Sequence, residues 1–348
     1  MNKKMKGSFD AGEKKHQKLD TKNKKIISLL LENSRMAFTE IAHKVGLSKE
    51  SVQYRFKQLI EKDHILLTYP EIDFWKLGYR RYHILLLLDE SDQEKQKEFI
   101  ESLHNNKSVI RVLEFSDHWD LEITVLAKNL HDFDRVAEKI LAPHEGLIQN
   151  KEIEAEIDRM ELHSFPEFKT VLDNKVIIEG TGEKSTYDEY DLKILKLLSK
   201  DARMSTYKMI KSVGLSADAI GLRIKKLQKK EIIKKFTCML NFSAFSYQGF
   251  TFCFNTACLT RTEANKFFYY ASESPNIIAV KRMLGTWDVK SYLVVKDPSD
   301  FHQLIKDIKA KFGRNIRSYE TWVIYKEHLF NPFPEILLKS YEKKESKK

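Results

Sequence analysis

The sequence Val-Gly-Leu-Ser occurs at residues 45–48 and again at residues 213–216, and its surroundings decide the fold. Gly46 supplies the permissive backbone that ends one helix, and Ser48 is a preferred N-cap for the next helix. The helix that follows carries apolar residues at helical spacing on one face. These residues are Val52, Phe56 and Leu59 in the first copy and Ile220, Ile224 and Leu227 in the second. A helix, a tight glycine turn and a capped second helix are typical of a helix-turn-helix.

This motif belongs to a much longer internal repeat. A shift of 168 residues aligns the chain with itself without a gap from residue 19 to residue 168. The shift superimposes Arg35-Met36 on Arg203-Met204, Trp119-Asp120 on Trp287-Asp288, and Phe165-Pro166-Glu167 on Phe333-Pro334-Glu335. A constant offset over so long a stretch is not expected by chance, so the chain consists of two homologous units.

The two parts of each unit have different sequence patterns. The first part is helical and ends in an extended segment, which predicts a winged helix-turn-helix. The remainder alternates as β-α-β-β-α-β, which predicts a ferredoxin-like sandwich with both helices on one face of an antiparallel sheet. The predicted fold class is therefore α+β, with two such units in tandem. The predicted segments are basic disordered tails at 1–18 and 337–348, winged helix-turn-helix domains at 19–70 and 187–240, sandwiches at 71–168 and 241–336, and a linker at 169–186.

The net charge of +10 is distributed unevenly over the 348 residues. Residues 70–168 carry a net charge of −10, whereas residues 187–235 carry +7. This partition indicates that some parts of the chain contact a polyanion and that the acidic first sandwich lies away from it.

The composition also excludes several classes of protein. No apolar run approaches the roughly 18 residues of a membrane span, and the lysine-rich N-terminus lacks the apolar region of a secretory signal. The three cysteines form no C-x-x-C pair, so neither a disulfide framework nor a thiolate zinc site is expected. The 11 histidines show no metal-ligand spacing. We therefore expect a cytoplasmic protein without a membrane segment, a metal or a cofactor.

Four short motifs stand in both copies. The first copy has Asp20, Asn33-Ser34-Arg35, Gly46-Leu47-Ser48 and Val-x-x-Arg-Phe-x-x-Leu at residues 52–59. The second has Asp188, Asp201-Ala202-Arg203, Gly214-Leu215-Ser216 and Ile-x-x-Arg-Ile-x-x-Leu at residues 220–227. With these motifs the sequence resembles the Lrp/AsnC family of transcription regulators, which join a helix-turn-helix to a βαββαβ effector and dimerisation domain. The resemblance implies a regulator that binds double-stranded DNA. Two units in one chain imply an internal pseudo-dimer, with further homo-oligomerisation left open.

In this fold, the helix that follows Gly-Leu-Ser is the recognition helix, and its outward face contacts the DNA bases. At about 100° per residue, the outward positions are Glu50, Ser51, Tyr54, Lys57 and Gln58 in the first copy and Asp218, Ala219, Leu222, Lys225 and Lys226 in the second. Ser48 and Ser216 cap the two helices and can present N–H groups to a phosphate. Arg55 and Arg223 lie to the side, where each contacts a phosphate or forms a salt bridge inside its own domain.

The two recognition helices differ in charge. Residues 216–235 carry a net charge of +5, and the matching residues 48–67 carry +1. We expect the second domain to supply most of the non-specific DNA affinity, because each neutralised phosphate adds to it. Tyr54 and Gln58 occupy the positions of Leu222 and Lys226, so a perfectly palindromic operator is not expected.

The family resemblance also implies a small effector, such as an amino acid, near a Gly-x-aromatic-Asp loop between effector domains. Gly285, Thr286 and Asp288 fit this loop, with Gly285 allowing close approach and Asp288 accepting from an ammonium group. Trp287 is expected to pack in the core. The first copy has Asp117 in place of the glycine, so one working site and one degenerate site are expected.

Two alternative functions stay open. Siroheme decarboxylases of haem biosynthesis have a similar fold and work as pairs of related subunits, which a fused chain would reproduce. In that case His118 and Arg111 would hold and protonate the tetrapyrrole. The second copy has Thr286 and Ala279 at those positions, and no other catalytic motif stands in the sequence, so the sequence predicts that the protein is not an enzyme. The other alternative is an architectural DNA-binding protein.

Overall fold

The computed structural model describes residues 7–12, 19–89, 91–162, 166 and 183–338. Most of the predicted tails at 1–18 and 337–348 and of the predicted linker at 169–186 lies outside these residues, as do Phe165 and Glu167. In the part of the chain that is described, no helix has the length and apolar character needed to cross a membrane.

The two repeats form the same elements in the same order, which confirms the predicted fold class. The first repeat forms α1 (Thr21–Glu32), α2 (Phe38–Val45), α3 (Lys49–Glu61), β1 (Ile65–Ile72), β2 (Arg80–Leu88), α4 (Gln93–His104), β3 (Val109–Phe115), β4 (Leu121–Ala127), α5 (Leu130–Leu141) and β5 (Ile148–Glu161). The second forms α6 (Glu189–Lys200), α7 (Thr206–Val213), α8 (Ala217–Lys229), β6 (Ile233–Leu240), β7 (Gln248–Thr256), α9 (Arg261–Glu273), β8 (Ile277–Leu284), β9 (Val289–Val295), α10 (Pro298–Phe312) and β10 (Ile316–Phe330).

The turn of each helix-turn-helix forms as its glycine and serine predict. Gly46 has φ 66° and Gly214 has φ 82°, in the left-handed region that favours glycine and ends a helix. Ser48 then accepts a hydrogen bond from the backbone N–H of Ser51 at 3.1 Å, which caps α3. Ser216 caps α8 in the same way. The starts of both recognition helices are therefore fixed by local interactions.

The chain forms two compact units, and each unit combines segments of both repeats. The first, which we call the paired helix-turn-helix unit, contains α1–α3 with β1 and α6–α8 with β6. β1 and β6 pair antiparallel, with Thr68 opposite Cys238. The extended segment that the sequence predicts at the end of each winged domain thus pairs with the corresponding segment of the other domain. Each domain supplies one strand, and the backbone N–H and C=O groups along its edge form hydrogen bonds with the strand of the other domain.

The second unit is a closed barrel of the eight remaining strands, in the order β10-β3-β4-β2-β5-β8-β9-β7. Each sandwich contributes four neighbouring strands. The last strand of each sandwich, β5 or β10, pairs with β8 or β3 of the other sandwich. Helices α4 and α5 pack on the outer face of one half of the barrel, and α9 and α10 pack on the other half. In the closed barrel, the edge strands of each four-stranded sheet form backbone hydrogen bonds with those of the other sheet, whereas two separate sheets would leave these groups exposed.

The inner face of the barrel carries charged side chains. Successive residues of a strand face opposite sides of the sheet. Ile84 and Ile123 pack in the apolar core beneath α4 and α5, so the neighbouring side chains of His83 and Glu122 face the interior. Both of these polar side chains are fully buried.

A buried network of hydrogen bonds and ion pairs joins the two repeats inside the barrel. The Nζ of Lys290 lies 2.6 Å from Oε2 of Glu154 and 3.6 Å from Oε1 of Glu122. Tyr292 donates its hydroxyl hydrogen to Glu122 at 2.9 Å, and Nδ1 of His83 lies 2.5 Å from the same carboxylate. Burial raises the pKa of Glu122, but Lys290 and His83 outweigh burial and hold this pKa well below its ordinary value. Glu122 is therefore ionised inside the barrel.

Candidate nucleic-acid interface

The residues that the sequence assigns to DNA reading lie on the outer faces of α3 and α8. The opposite faces are buried in the domain cores through Val52 and Leu59 in α3 and through Ile220 and Leu227 in α8. The exposed members of the assigned set are Ser48, Glu50, Tyr54, Lys57, Ser216, Asp218, Leu222, Lys225 and Lys226, and the half-buried members are Ser51, Arg55, Gln58, Ala219 and Arg223. Their contact with DNA stays a prediction.

The two side arginines are held inside their own domains. Arg55 donates to the carboxylate of Asp20 at 2.6 Å, and Arg223 donates to Asp188 at 2.7 Å and to Asp191 at 2.8 Å. Asp20 and Asp188 are the N-caps of α1 and α6. These ion pairs therefore fasten each recognition helix to the first helix of its domain. Of the two roles left open by the sequence, the intradomain salt bridge is formed, and the phosphate contact stays a prediction.

The lysines on the two recognition helices have different surroundings. Lys57 of α3 lies 3.5 Å from the carboxylate of Glu61, and Gln58 donates to the same side chain at 2.8 Å. Lys225 and Lys226 stand at the matching positions of α8 and are exposed. Within the described residues, neither has a carboxylate within salt-bridge distance. The outer face of α8 is therefore the more strongly positive of the two.

Two arginines, each part of a motif that occurs in both copies of the sequence, lock the two helix-turn-helix domains together. Arg203 donates to the backbone carbonyls of Ser34 and Met36, the latter at 3.0 Å. Arg35 makes the reciprocal bonds to the carbonyls of Ala202 and Met204, the latter at 3.2 Å. Arg35 and Arg203 occupy matching positions of the two copies, 168 residues apart. This recurrence of an arginine is the sequence signal that could have revealed the lock.

The Arg203 side chain also lies over the ring of Phe38, with its guanidinium carbon 3.9 Å from the ring centroid. This distance is within the range of a favourable cation–π contact. Arg203 thus combines two backbone hydrogen bonds with an aromatic contact on the other domain. Its loss would leave two partly buried carbonyl groups without this donor.

We expect Arg203→Ala to destabilise the paired helix-turn-helix unit by about 1.5–3 kcal/mol, the usual worth of hydrogen bonds from a charged donor. Hydrogen exchange measured by mass spectrometry should then accelerate in peptides covering β1 and β6. Lys211→Ala, at an exposed position of α7, is the matched control and should leave exchange unchanged. Equal protection of β1 in the wild-type protein and in Arg203→Ala would refute this role.

The predicted effector loop is engaged in contacts within the barrel. Gly285 has φ 156°, and a Cβ at this position would lie 2.9 Å from Cγ and 3.2 Å from Cα of Glu154. The close approach that requires glycine is therefore made by strand β5. Asp288 accepts hydrogen bonds from the backbone N–H of Thr256 at 2.7 Å and from its hydroxyl at 3.0 Å. Thr286 is exposed, and effector binding at this loop stays a prediction.

The first copy of this loop makes similar internal contacts. Asp120 accepts from the backbone N–H of Leu88 at 2.6 Å, as Asp288 does from Thr256. Asp117, which replaces the glycine, accepts from the backbone N–H of Val323 at 3.0 Å. Burial raises the pKa of Asp117 above its ordinary value. Trp119 and Trp287 are both buried, in agreement with core packing.

Comparison with known proteins matches the AsnC-type helix-turn-helix domain at residues 19–60 and 188–228. The HTH-type transcriptional regulator FL11 of Pyrococcus furiosus is 27% identical over 144 residues, which cover 40% of this chain and 91% of that protein. The glutamate uptake regulatory protein of Zymomonas mobilis is 29% identical over 125 residues, which cover 36% of this chain and 76% of that protein. Each of these relatives is similar to less than half of the duplicated chain.

Over nearly its whole length, the fold is similar to the crystal structure of the siroheme decarboxylase NirDL. The TM-score is 0.60 at 12% identity, over 94% of this chain and 99% of that chain. This finding corrects the prediction that the protein is not an enzyme, because a solved structure with the same duplicated fold is that of an enzyme. The likeness at this identity concerns the fold.

Two AsnC-type domains and regulator relatives agree with the duplicated order of elements. The chain therefore carries two AsnC-type helix-turn-helix domains, each followed by a βαββαβ segment, in a tandem duplication.

Proposed function

We propose that this protein is a cytoplasmic, sequence-specific transcriptional regulator that binds double-stranded DNA with two unlike recognition helices of one chain. The observation that carries the proposal is the exposed positive face of α8 on an AsnC-type domain. Lys225 and Lys226 are available to neutralise phosphates, which supplies sequence-independent affinity. The lock formed by Arg35 and Arg203 holds the second reader in a fixed relation to the first.

The proposal is tested by fluorescence anisotropy of a labelled mixed-sequence duplex, titrated with the full chain at several salt concentrations. Sub-micromolar binding at low salt, weakening along a steep log–log line, is the expected result. An absence of binding at low salt overturns the proposal. Tight binding without sequence preference in a footprint would instead favour an architectural DNA-binding protein.

We expect the preferred operator to have two unlike half-sites. Tyr54 and Leu222 occupy matching positions and are 65% and 68% exposed. The tyrosine hydroxyl can donate or accept a hydrogen bond, whereas leucine offers only apolar contact, for example with a thymine methyl group. Selection of bound sequences from random duplexes should therefore give an asymmetric consensus. A perfectly palindromic consensus would contradict this expectation.

The proposal includes regulation by a small effector, such as an amino acid, at the loop of Gly285, Thr286 and Asp288. The exposed side chain of Thr286 supports an accessible position on this loop. The test is a thermal-shift screen of the amino acids with the wild-type protein and with Thr286→Val. A ligand whose stabilising effect is lost in Thr286→Val supports the site, and an unchanged effect places the effector elsewhere.

The full-length likeness to NirDL favours a second candidate, an activity on a tetrapyrrole. His118 is exposed and packs edge-on against Trp119, with ring centroids 5.1 Å apart. Arg111 donates to the buried carboxylate of Glu327 at 2.6 Å, so that guanidinium already has an anionic partner. Titration with siroheme, followed by its absorption spectrum and by mass analysis of the product, distinguishes the two candidates. A bound and decarboxylated siroheme would replace the regulator proposal.

A further inference from the structure

A groove of about 560 Å³ lies on the outer helical layer of the second sandwich. It runs between α9 and the C-terminal end of α10. Four of its lining residues are Thr262, Asn265, Lys266 and Tyr269, which share one face of α9 because they are spaced by three or four residues. Lys311 and Phe312 of α10 form the facing wall. The volume is within the range of about 300–1,000 Å³ that is usual for small-molecule sites.

Three of the seven residues that line the groove are aromatic: Tyr269, Tyr270 and Phe312. Tyr270 and Phe312 meet edge to face, with ring centroids 5.3 Å apart. Tyr269 is 60% exposed, although it lies in the middle of an ordered helix. Aromatic faces of this kind favour a planar ring that stacks on them or meets them edge-on.

The polar groups of the groove favour an anion. Lys266 and Lys311 are exposed, and Nζ of Lys311 lies 4.9 Å from the centre of the Tyr270 ring. Two carboxylates close to these groups accept hydrogen bonds from neutral donors, and among the described residues neither Lys266 nor Lys311 forms a salt bridge. Glu263 accepts from the N–H and hydroxyl of Thr260, and Asp307 accepts from the side chain of Gln303 at 2.8 Å. The lysine ammonium groups are therefore positioned to meet a carboxylate or a phosphate.

The first repeat shows that the fold does not require the aromatic and lysine side chains that line the groove. The matching face of α4 carries Glu94, Lys97, Glu98 and Glu101, an ordinary charged surface without an aromatic side chain. The core position beneath it is phenylalanine in both copies, as Phe99 and Phe267, and both are buried. The same fold thus has an acidic face in one copy and a basic aromatic groove in the other.

We propose that this groove binds a small aromatic anion, a planar ring that carries a carboxylate or a phosphate. The ring stacks on Tyr269 and packs against Tyr270 and Phe312, while Lys266 and Lys311 pair with the anionic group. The site does not depend on DNA binding and goes beyond the proposed function.

The test is isothermal titration calorimetry of the full chain with two probes, indole-3-acetate for a carboxylate and AMP for a phosphate. Indole, acetate and inorganic phosphate are the control ligands, because each carries only the ring or only the charge. We expect one probe to bind at least about tenfold more tightly than its controls, and Tyr269→Ala and Lys266→Glu each to weaken it about tenfold. Glu101→Ala, at the position matching Tyr269 in the first repeat, should leave affinity unchanged.

Each other result overturns the proposal. If acetate or phosphate binds as tightly as the aromatic probes, only charge is recognised. If Tyr269→Ala binds both probes as the wild-type protein does, the ligand lies elsewhere. If neither probe binds, while Tyr269→Ala lowers DNA affinity or dissociates an oligomer seen by sedimentation, the groove is a macromolecular interface. The exposure of Tyr269 and Lys266 makes unfolding of these variants unexpected, and circular dichroism checks this.

Discussion

Reversing the charge of both Lys225 and Lys226 to glutamate is expected to weaken DNA binding by at least about tenfold at moderate salt and to flatten its salt dependence. Both side chains are exposed on α8 and have no carboxylate partner among the described residues. If each lysine neutralises one phosphate, the log–log slope should fall by about 1.8, since each phosphate contributes about 0.9. Anisotropy titrations at four or more salt concentrations measure both quantities.

The duplicated chain offers a control matched by position. Lys57 of α3 aligns with Lys225 of α8, but Lys57 lies 3.5 Å from Glu61. Lys57→Glu should therefore cost less affinity than Lys225→Glu, because the wild-type lysine is already partly neutralised. Equal losses in the two single variants would show that both readers contribute alike and would reject the asymmetric account of binding.

We expect Lys290→Met to lower the free energy of unfolding by about 3–5 kcal/mol, the usual cost of removing one partner from a buried ion pair. Lys290 and Glu154 are fully buried and 2.6 Å apart, and Glu122 lies 3.6 Å from the same ammonium group. Without Lys290, two carboxylates would lose a cationic partner inside the barrel. Urea unfolding followed by circular dichroism and tryptophan fluorescence measures the loss.

Two further variants sharpen this test. Lys44→Met removes an exposed pair with Glu40, where both side chains are about half accessible (43% and 52%), and should cost less than about 1 kcal/mol. The double variant Lys290→Met with Glu154→Gln should recover part of the loss, because one unpaired carboxylate is replaced by a neutral amide. An unfolding midpoint of Lys290→Met equal to that of Lys44→Met would contradict the role of the network.

The effect of Lys290→Met should also depend on pH. In the wild-type protein the pKa of Glu122 is held well below its ordinary value, with Lys290 a main cause. The stability that comes from ionised Glu122 is therefore present above the unfolded-state pKa of about 4.3 and is lost as the pH falls further. In the variant, the buried carboxylate instead favours protonation. The difference in stability between the two proteins should thus be largest near neutral pH and should shrink toward pH 4.

The sequence determined the elements and their order, because those features depend on neighbours along the chain. Glycine at positions 46 and 214 and serine at positions 48 and 216 set the helix ends through local geometry. The alternation of apolar residues set the strands, and the offset of 168 residues established two copies. The outward faces of α3 and α8 followed from helical spacing alone, and the structure finds those residues exposed or half-buried.

The tertiary structure decided which segments meet. β1 pairs with β6 although their first residues are 168 positions apart in the sequence. Arg35 and Arg203 each donate hydrogen bonds to the opposite copy. Gly285 accommodates strand β5, where the family resemblance had suggested an effector. The charged barrel interior was equally hidden from the sequence, since a strand with His83 or Glu122 facing one side is consistent with solvent exposure. Only closure of the two sheets removes water from that side, and burial then makes each charge depend on a partner from the other repeat.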